Sequence, residues 1–300
     1  MKVLISGSGG FIGSALVSRL AGEGHQVVRL VRAPRGGGLE IVWDAMSGTP
    51  NPAAFDGIEG VVHLAGEPIA EGRWTPSKKA RIRESRVIGT QRLCEALTKM
   101  PRPPKALICA SAIGYYGDRG DETLTEESPS GTGFLAGLCR EWEAATSLAA
   151  GCGIRVVHMR IGIVLSPKGG ALKKMLLPFQ LGLGGPLGHG RQMMSWISLE
   201  DTVGAIRHAL LTDSLRGPAN VTAPRPVTNR EFSKTLGRVL SRPAIAPVPP
   251  FALRLMFGQL ADEALLASAR VLPAKLQATG YAFRYPNLED ALRHVLGKVK

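Results

Sequence analysis

None of the apolar stretches in the 300 residues approaches the roughly 18 consecutive positions that a bilayer-spanning helix requires, so no membrane span and no membrane partner is expected. The opening Met1-Lys2-Val3-Leu4-Ile5 runs straight into glycines and lacks the longer apolar core of a signal peptide. Cysteine is scarce. Cys94, Cys109, Cys139 and Cys152 lie far apart with no Cys-x-x-Cys pair, which excludes a disulfide scaffold and reads as free thiols in a reducing compartment, hence a cytoplasmic protein. No cluster of His, Cys, Asp and Glu has metal-ligand spacing, and no metal is predicted. Internal repeats at solenoid spacing and low-complexity tracts are also missing. With 44% hydrophobic and 20% charged residues, what is left is an ordinary globular composition, sufficient for one nucleotide-binding domain and a modest appendage.

Charge is distributed unevenly. The formal net charge is +13, of which residues 1–150 carry +1 and residues 151–300 carry +12. A basic second half suits an anionic partner. Its arginines are scattered singly along helices (Arg207, Arg238, Arg254) with no arginine-rich run, so a small anionic molecule is expected rather than nucleic acid.

Short apolar runs at Lys2–Ser6, Gln26–Val31, Leu39–Trp43, Gly60–Ala65, Lys105–Ala110 and Ile154–Arg160 read as buried strands. Helical patterns lie between them at Phe11–Glu23, Ser77–Lys99 and Phe134–Ala150. This alternation predicts an α/β fold, a doubly wound parallel sheet covered on both faces. After Arg160 the rhythm breaks. Leu181 to Gly190 (LGLGGPLGHG) reads as loop, Ser198 and Thr228 as helix starts, and a helical patch follows around Leu253–Leu266. The expected division is a Rossmann domain at 1–164 and a smaller, mostly helical lobe at 165–300, with some elements returning to the first domain.

The first strand ends in Gly7-Ser8-Gly9-Gly10-Phe11-Ile12-Gly13, a GxxGxxG spacing that opens a helix. Gly7 permits the tight turn, Gly10 admits a pyrophosphate close to the backbone, and Gly13 lets helix and strand approach. The helix start at Phe11 and Ile12 presents unpaired amides to the phosphates. At the end of the second strand an acidic residue would bind the adenosine ribose hydroxyl of NAD. Here Val31 is followed by Arg32, with Arg35 three further on, and a guanidinium suits the 2'-phosphate of NADP.

The sequence resembles the extended short-chain dehydrogenase/reductase superfamily, and more narrowly its atypical branch of epimerase family proteins, which are NAD(P)-dependent epimerase/dehydratase-like. The motifs that carry the resemblance are GSGGFIG at 7–13, Trp43-Asp44, His63-Leu64-Ala65-Gly66-Glu67-Pro68, Arg73-Trp74 and Ser85-Arg86 with Thr90. They continue with Ser111-Ala112-Ile113-Gly114-Tyr115-Tyr116-Gly117, Phe134-Leu135-Ala136, Trp142-Glu143, Gly184-Gly185 through Gln192, Ser195-Trp196-Ile197 and Gly280-Tyr281-Ala282-Phe283. The resemblance implies that Leu64, Ala65 and Gly66 run against the cofactor and that Arg86 stands where many members place an Asn. It also implies that Ile163 and Val164 pass near the nicotinamide. Six basic residues fall between Arg73 and Arg86, and of these Arg81 and Arg86 are the candidates for phosphate or substrate contact.

Relatives of known chemistry use a Ser/Thr with a Tyr-x-x-x-Lys pair whose four-residue spacing stacks both side chains on one helical face. None of Tyr115, Tyr116, Tyr281 and Tyr285 has lysine four residues on, and the helix that should carry the pair begins Phe134-Leu135-Ala136-Gly137-Leu138-Cys139. Ser111 stands where relatives put the catalytic hydroxyl, and Tyr116 or Tyr115 is its candidate proton-transfer partner. His189 reads as a loop bystander, His63 as a packed core residue and Asp201 as a helix cap. The leading functional reading is an NADP-binding epimerase/dehydratase-like oxidoreductase acting on an anionic small molecule, with a nucleotide sugar as one candidate. The alternative is a catalytically silent NADP-binding sensor or scaffold. Reaction subtype, substrate and oligomeric state stay open.

Overall fold

The computed structural model describes residues 1–34 and 36–298; Arg35, the second arginine after the second predicted strand, lies outside the described residues. Seven strands, β1 (Lys2–Ser6), β2 (Gln26–Val31), β3 (Leu39–Val42), β4 (Gly60–His63), β5 (Ala106–Ala112), β6 (Arg155–Ile161) and β7 (Gly217–Val221), form one sheet. Its order is β3-β2-β1-β4-β5-β6-β7, with every neighbouring pair parallel. The inner strands are buried along nearly their whole length, which is why they read as unbroken apolar runs rather than alternating ones.

The helices are α1 (Phe11–Gly22), α2 (Pro76–Thr98), α3 (Phe134–Ala144), α4 (Ser147–Gly151), α5 (Gly170–Gln180), α6 (Leu199–Leu211), α7 (Asn229–Leu240), α8 (Pro250–Phe257), α9 (Ala274–Ala278) and α10 (Leu288–Val295). On one face of the sheet, Leu16, Val17 and Leu20 of α1 share a core with Val203, Ile206 and Leu210 of α6. On the other face, Leu93, Cys94 and Leu97 of α2 pack with Trp142 of α3 and Ala149 of α4. The result is a Rossmann-like three-layer α/β fold. A separate core, built on Phe179, Trp196, Phe232, Leu236, Leu288 and Leu292, holds the second half together.

Two predicted helices differ from the observed ones. The single helix expected over Phe134–Ala150 breaks after Ala144, because Thr146 turns its hydroxyl back to Glu143 O (2.8 Å) and meets His158 Nε2 of β6 at 2.8 Å. The helical patch around Leu253–Leu266 is α8, ended by Gly258 at φ +60°, followed by a single π-helical turn at Ala261–Leu265.

Asp201, read from sequence as a helix cap, does more than cap. Ser198 Oγ does receive the Asp201 amide (2.9 Å) at the start of α6. The buried Asp201 carboxylate also accepts the amides of Arg284 (2.7 Å) and Tyr285 (2.9 Å) and the hydroxyls of Ser198 (2.9 Å) and Tyr281 (3.2 Å). One side chain thus fixes the segment before α10 against α6. Burial, followed by the adjacent carboxylate, pushes the Tyr281 hydroxyl well above the ordinary phenol range, so it remains a donor. Asp201→Ala leaves these buried donors without an acceptor and is expected to cost about 3 kcal/mol or more, with Asp201→Asn milder; urea unfolding of both variants checks this.

Candidate functional site

The sheet order reverses between β1 and β4, and open α/β sheets bind ligands at such a crevice. Ser6 and His63 end these two strands in register and are joined there by a hydrogen bond of 2.6 Å from Ser6 Oγ to His63 Nδ1. The same hydroxyl oxygen accepts the amides of Leu64 (3.1 Å) and Ala65 (3.2 Å), so it donates its own proton to His63. Burial, helped by the positive charge of Arg86, lowers the His63 pKa to about 4, which keeps the ring neutral. Gly7 follows at φ +68°, and a Cβ there would stand 2.7 Å from the Leu64 carbonyl carbon. A Cβ on Gly13 would lie 2.2 Å from Gly7 O. The turn therefore has no room for a side chain at either position.

The N-terminus of α1 is uncapped. Gly10 is its N-cap without a side-chain bond, and its first turn holds no acidic residue. Intrahelical bonding begins with Ser14 N donating to Gly10 O (2.8 Å), which leaves the amides of Phe11, Ile12 and Gly13 without a partner among the described residues and suited to an anion. The N-terminus of α3 is the opposite case. The Glu263 carboxylate already receives the amides of Phe134 (3.0 Å) and Leu135 (2.8 Å). A dinucleotide pyrophosphate therefore fits α1 and not α3.

Past the end of β2, Arg32 is exposed, and its charge is felt by Glu67. Glu67 Oε1 is bound by Lys78 Nζ at 2.7 Å and lies 3.8 Å from Arg81. The Lys78 hydrogen bond, then the charges of Lys78, Arg81 and Arg32, hold its carboxyl below the usual range despite burial. Three cations thus surround one carboxylate beside the crevice.

Further along the crevice, α3 turns Leu135, Cys139 and Glu143 toward the end of β5. Leu135 would touch a Cβ on Gly114 at 3.2 Å, Cys139 Sγ reaches Ala112 O (3.7 Å), and Glu143 Oε1 accepts the Ser111 hydroxyl (2.7 Å). This face of α3 carries leucine and cysteine four residues apart. Glu143 also forms a two-point ion pair with Arg160, 2.8 Å at each contact. Burial works against the Arg160 charge, but the Glu143 carboxylate holds it firmly protonated.

The two candidate tyrosines have different surroundings. Tyr116 is fully buried; its hydroxyl accepts Arg160 Nη1 (3.0 Å) and donates to Asn220 Oδ1 (2.7 Å), with Thr125 O at 2.9 Å. Burial raises its pKa. Tyr116 is thus buried, with its hydroxyl engaged by protein groups on every side. Tyr115 is half-buried, with the Arg160 guanidinium 3.4 Å from its ring centroid and no hydrogen-bond partner for its hydroxyl among the described residues.

The other predicted residues divide in the same way. Leu64, Ala65 and Gly66 lie at the crevice, half-buried to exposed. Arg86 donates through Nη1 to Glu67 O (3.0 Å) and Ile82 O (3.2 Å). Ile163 is half-buried and starts a short strand paired with Trp196–Ser198, and Val164 beside it is buried, packed in the core that α1 and α6 share. A groove of about 600 Å³ is lined by α7 residues such as Arg230 and Lys234 together with Asn287 and Glu289, none of them a predicted site residue. No group of His, Cys, Asp and Glu that could hold a metal occurs among the described residues, and none of their helices is long and apolar enough to cross a membrane. Sequence reasoning missed Glu143 and Arg160 as the hub of the site. Their sequence signal was a charged residue on the buried face of α3 and another at the end of an apolar strand.

The fold and crevice define a dinucleotide-binding α/β protein of the extended short-chain dehydrogenase/reductase type. Residues 3–221 match the model of the NAD dependent epimerase/dehydratase family, and the chain belongs to that family. Residues 248–295 match a domain of unknown function (DUF1731). Epimerase family protein Mb2239 of Mycobacterium bovis is 44% identical over 290 residues, covering 97% of this chain and 96% of that protein. Human epimerase family protein SDR39U1 is 39% identical over 299 residues, covering 99% and 100%. The crystal structure of human SDR39U1 (isoform 2) with NADPH superposes with a TM-score of 0.92 at 38% identity, over the whole of both chains. A nucleoside-diphosphate sugar epimerase from Corynebacterium glutamicum gives 0.83 at 38% identity, covering 99% of this chain and 58% of that one.

Two stability predictions follow from this geometry. Tyr116→Phe removes a buried acceptor and donor and is expected to destabilise by about 1–3 kcal/mol, whereas Tyr115→Phe leaves the melting temperature unchanged. His63 binds its proton more weakly folded (pKa about 4) than unfolded (6.5), so its contribution is present at neutral pH and is lost as pH falls through that window. Between pH 7 and 5 the loss is about 2 kcal/mol, and His63→Asn should lack that part of the slope in urea titrations at the two pH values.

Proposed function

We propose that the chain is an NADP-dependent oxidoreductase of the epimerase/dehydratase type that acts on an anionic small molecule, a nucleotide sugar being one candidate. The observation that carries the cofactor choice is the open N-terminus of α1 together with Arg32 beyond β2, with Arg81 and Lys78 close by around Glu67. The amides of Phe11, Ile12 and Gly13 would hold the phosphates of the cofactor, and the guanidinium of Arg32 would hold its 2'-phosphate. The solved human relative with NADPH supports this reading. Bound NADPH supplies the hydride, and this chain's own residues orient the partners and move the proton. Leu64 to Gly66 form the wall beside it, and Ile163 bounds the nicotinamide end. Ser111, held by Glu143, and Tyr115, stacked on Arg160, form the proton-transfer group in place of the Tyr-Lys pair. Residues 165–300, apart from α6 and β7, form the substrate lobe.

The second reading, a silent NADP-binding sensor or scaffold, is favoured by one observation: the α3 face holds Leu135 and Cys139, neither of which can transfer or stabilise a proton as tyrosine and lysine do. Burial, chiefly, pushes the Cys139 thiol up to about 11, so it stays protonated.

Titration with NADPH and NADH, followed by tryptophan quenching, tests the cofactor choice. NADPH is expected to bind more tightly, and Arg32→Ala to weaken NADPH roughly tenfold or more with little effect on NADH. Equal affinities would end the NADP assignment, and binding of neither nucleotide would end the oxidoreductase reading. With a turned-over substrate in hand, Ser111→Ala and Tyr115→Phe should slow turnover at unchanged NADPH affinity; full turnover in both variants contradicts the proton-transfer role.

A further inference from the structure

Of the α3 positions that the resemblance offers for a lysine, Cys139 is the one with a cation nearby, delivered from α2. The Arg86 guanidinium lies 5.0 Å from the ring centroid of Trp142, three residues after Cys139 on the same helix, and it acts electrostatically on the Cys139 thiol. A Cβ on Gly66 would lie 3.0 Å from its central carbon, so the guanidinium is laid flat against the crevice wall formed by Leu64 to Gly66. It is half-buried, and burial lowers its pKa.

Arg86 is also short of partners. No carboxylate comes within ion-pair distance of it among the described residues, since neighbouring Glu67 is taken by Lys78 and Arg81. Both of its hydrogen bonds go to main-chain carbonyls and both use Nη1, which leaves Nε and Nη2 without a protein partner among the described residues. Neither nitrogen is sealed from solvent, so both are open to a ligand that enters the crevice.

We infer that Arg86 is the displaced cation of this site. It supplies from α2 the positive charge that a lysine at position 139 would supply from α3, and it holds a polar or anionic group of the bound cofactor or substrate with Nε and Nη2. The ligand part of this inference rests on the NADP-binding reading. Its converse concerns the protein alone: with Arg86 present, position 139 excludes a second cation. Glu143, one turn on, gives no relief, because its oxygens are already engaged by Ser111 and Arg160.

The test is a double-mutant cycle on the full chain with Arg86→Met, Cys139→Lys and the pair, read by thermal melts without nucleotide and by NADPH titration. Arg86→Met is expected to weaken NADPH binding roughly tenfold or more. Cys139→Lys should lower the melting temperature in the parent, where two cations meet, and much less in the Arg86→Met background. The double variant should regain most of the NADPH affinity. If Cys139→Lys costs the same in both backgrounds, and the double variant binds NADPH no better than Arg86→Met, the inference is overturned. Should the parent bind no nucleotide, the cofactor reading fails, and the melts alone still decide whether the two positions share one charge. Arg86→Gln takes the place of Arg86→Met if circular dichroism shows the latter unfolded.

Discussion

The site depends on a contact that leaves no room for side chains. The turn after β1 meets the end of β4 so closely that a Cβ on Gly7 would press on the Leu64 carbonyl, and a Cβ on Gly13 would press on Gly7 itself. Ser6 locks this approach from beneath by receiving two amides of the β4 end and donating to His63. Because the β1 turn, the α1 start and the Leu64–Gly66 wall are fixed by one another, the crevice is shaped before any ligand enters it. That rigidity holds the amides at the start of α1 in fixed directions, which need no reorganisation to meet an anion.

Buried charge is managed in two ways. Glu143 and Arg160 neutralise each other with two well-formed contacts, and their remaining capacity is taken by Ser111 and by Tyr116, whose hydroxyl accepts from Arg160. Asp201 has no cationic partner among the described residues and is instead surrounded by two amides and two hydroxyls. The first arrangement joins α3 to the carboxyl ends of β5 and β6. The second ties the last stretch of chain to α6.

Much of this was legible in the sequence where the signal is local. The run Lys2–Ser6 followed by GSGGFIG and an apolar stripe specifies strand, turn and helix through short-range geometry, and all three stand where they were expected. What escaped was set by distant partners. Nothing within a few residues of Thr146 announces that His158 will meet its hydroxyl at the break between α3 and α4. Tyr115 and Tyr116 are adjacent and alike in sequence, and only Asn220, 104 positions after Tyr116, makes one of them framework. Glu143 stands in the sequence only as half of Trp142-Glu143, and its partner Arg160, seventeen positions on, is brought to it by the sheet.

The seventh strand has a consequence for how the chain comes to be folded. β6 ends at Ile161, but its outer neighbour is Gly217–Val221, and the chain makes the short Ile163–Leu165 strand, α5, the Trp196–Ser198 strand and α6 before supplying it. A nascent chain emerging from the ribosome therefore carries β6 with an unpaired edge for more than fifty residues of further synthesis. The α6 side of the core is missing for much of that interval. Long-range parallel pairing of this kind forms slowly and exposes strand edges meanwhile. The crevice at β1 and β4 is built from the first third of the chain, whereas the strand that covers the open edge of β6 arrives only after two thirds has been made.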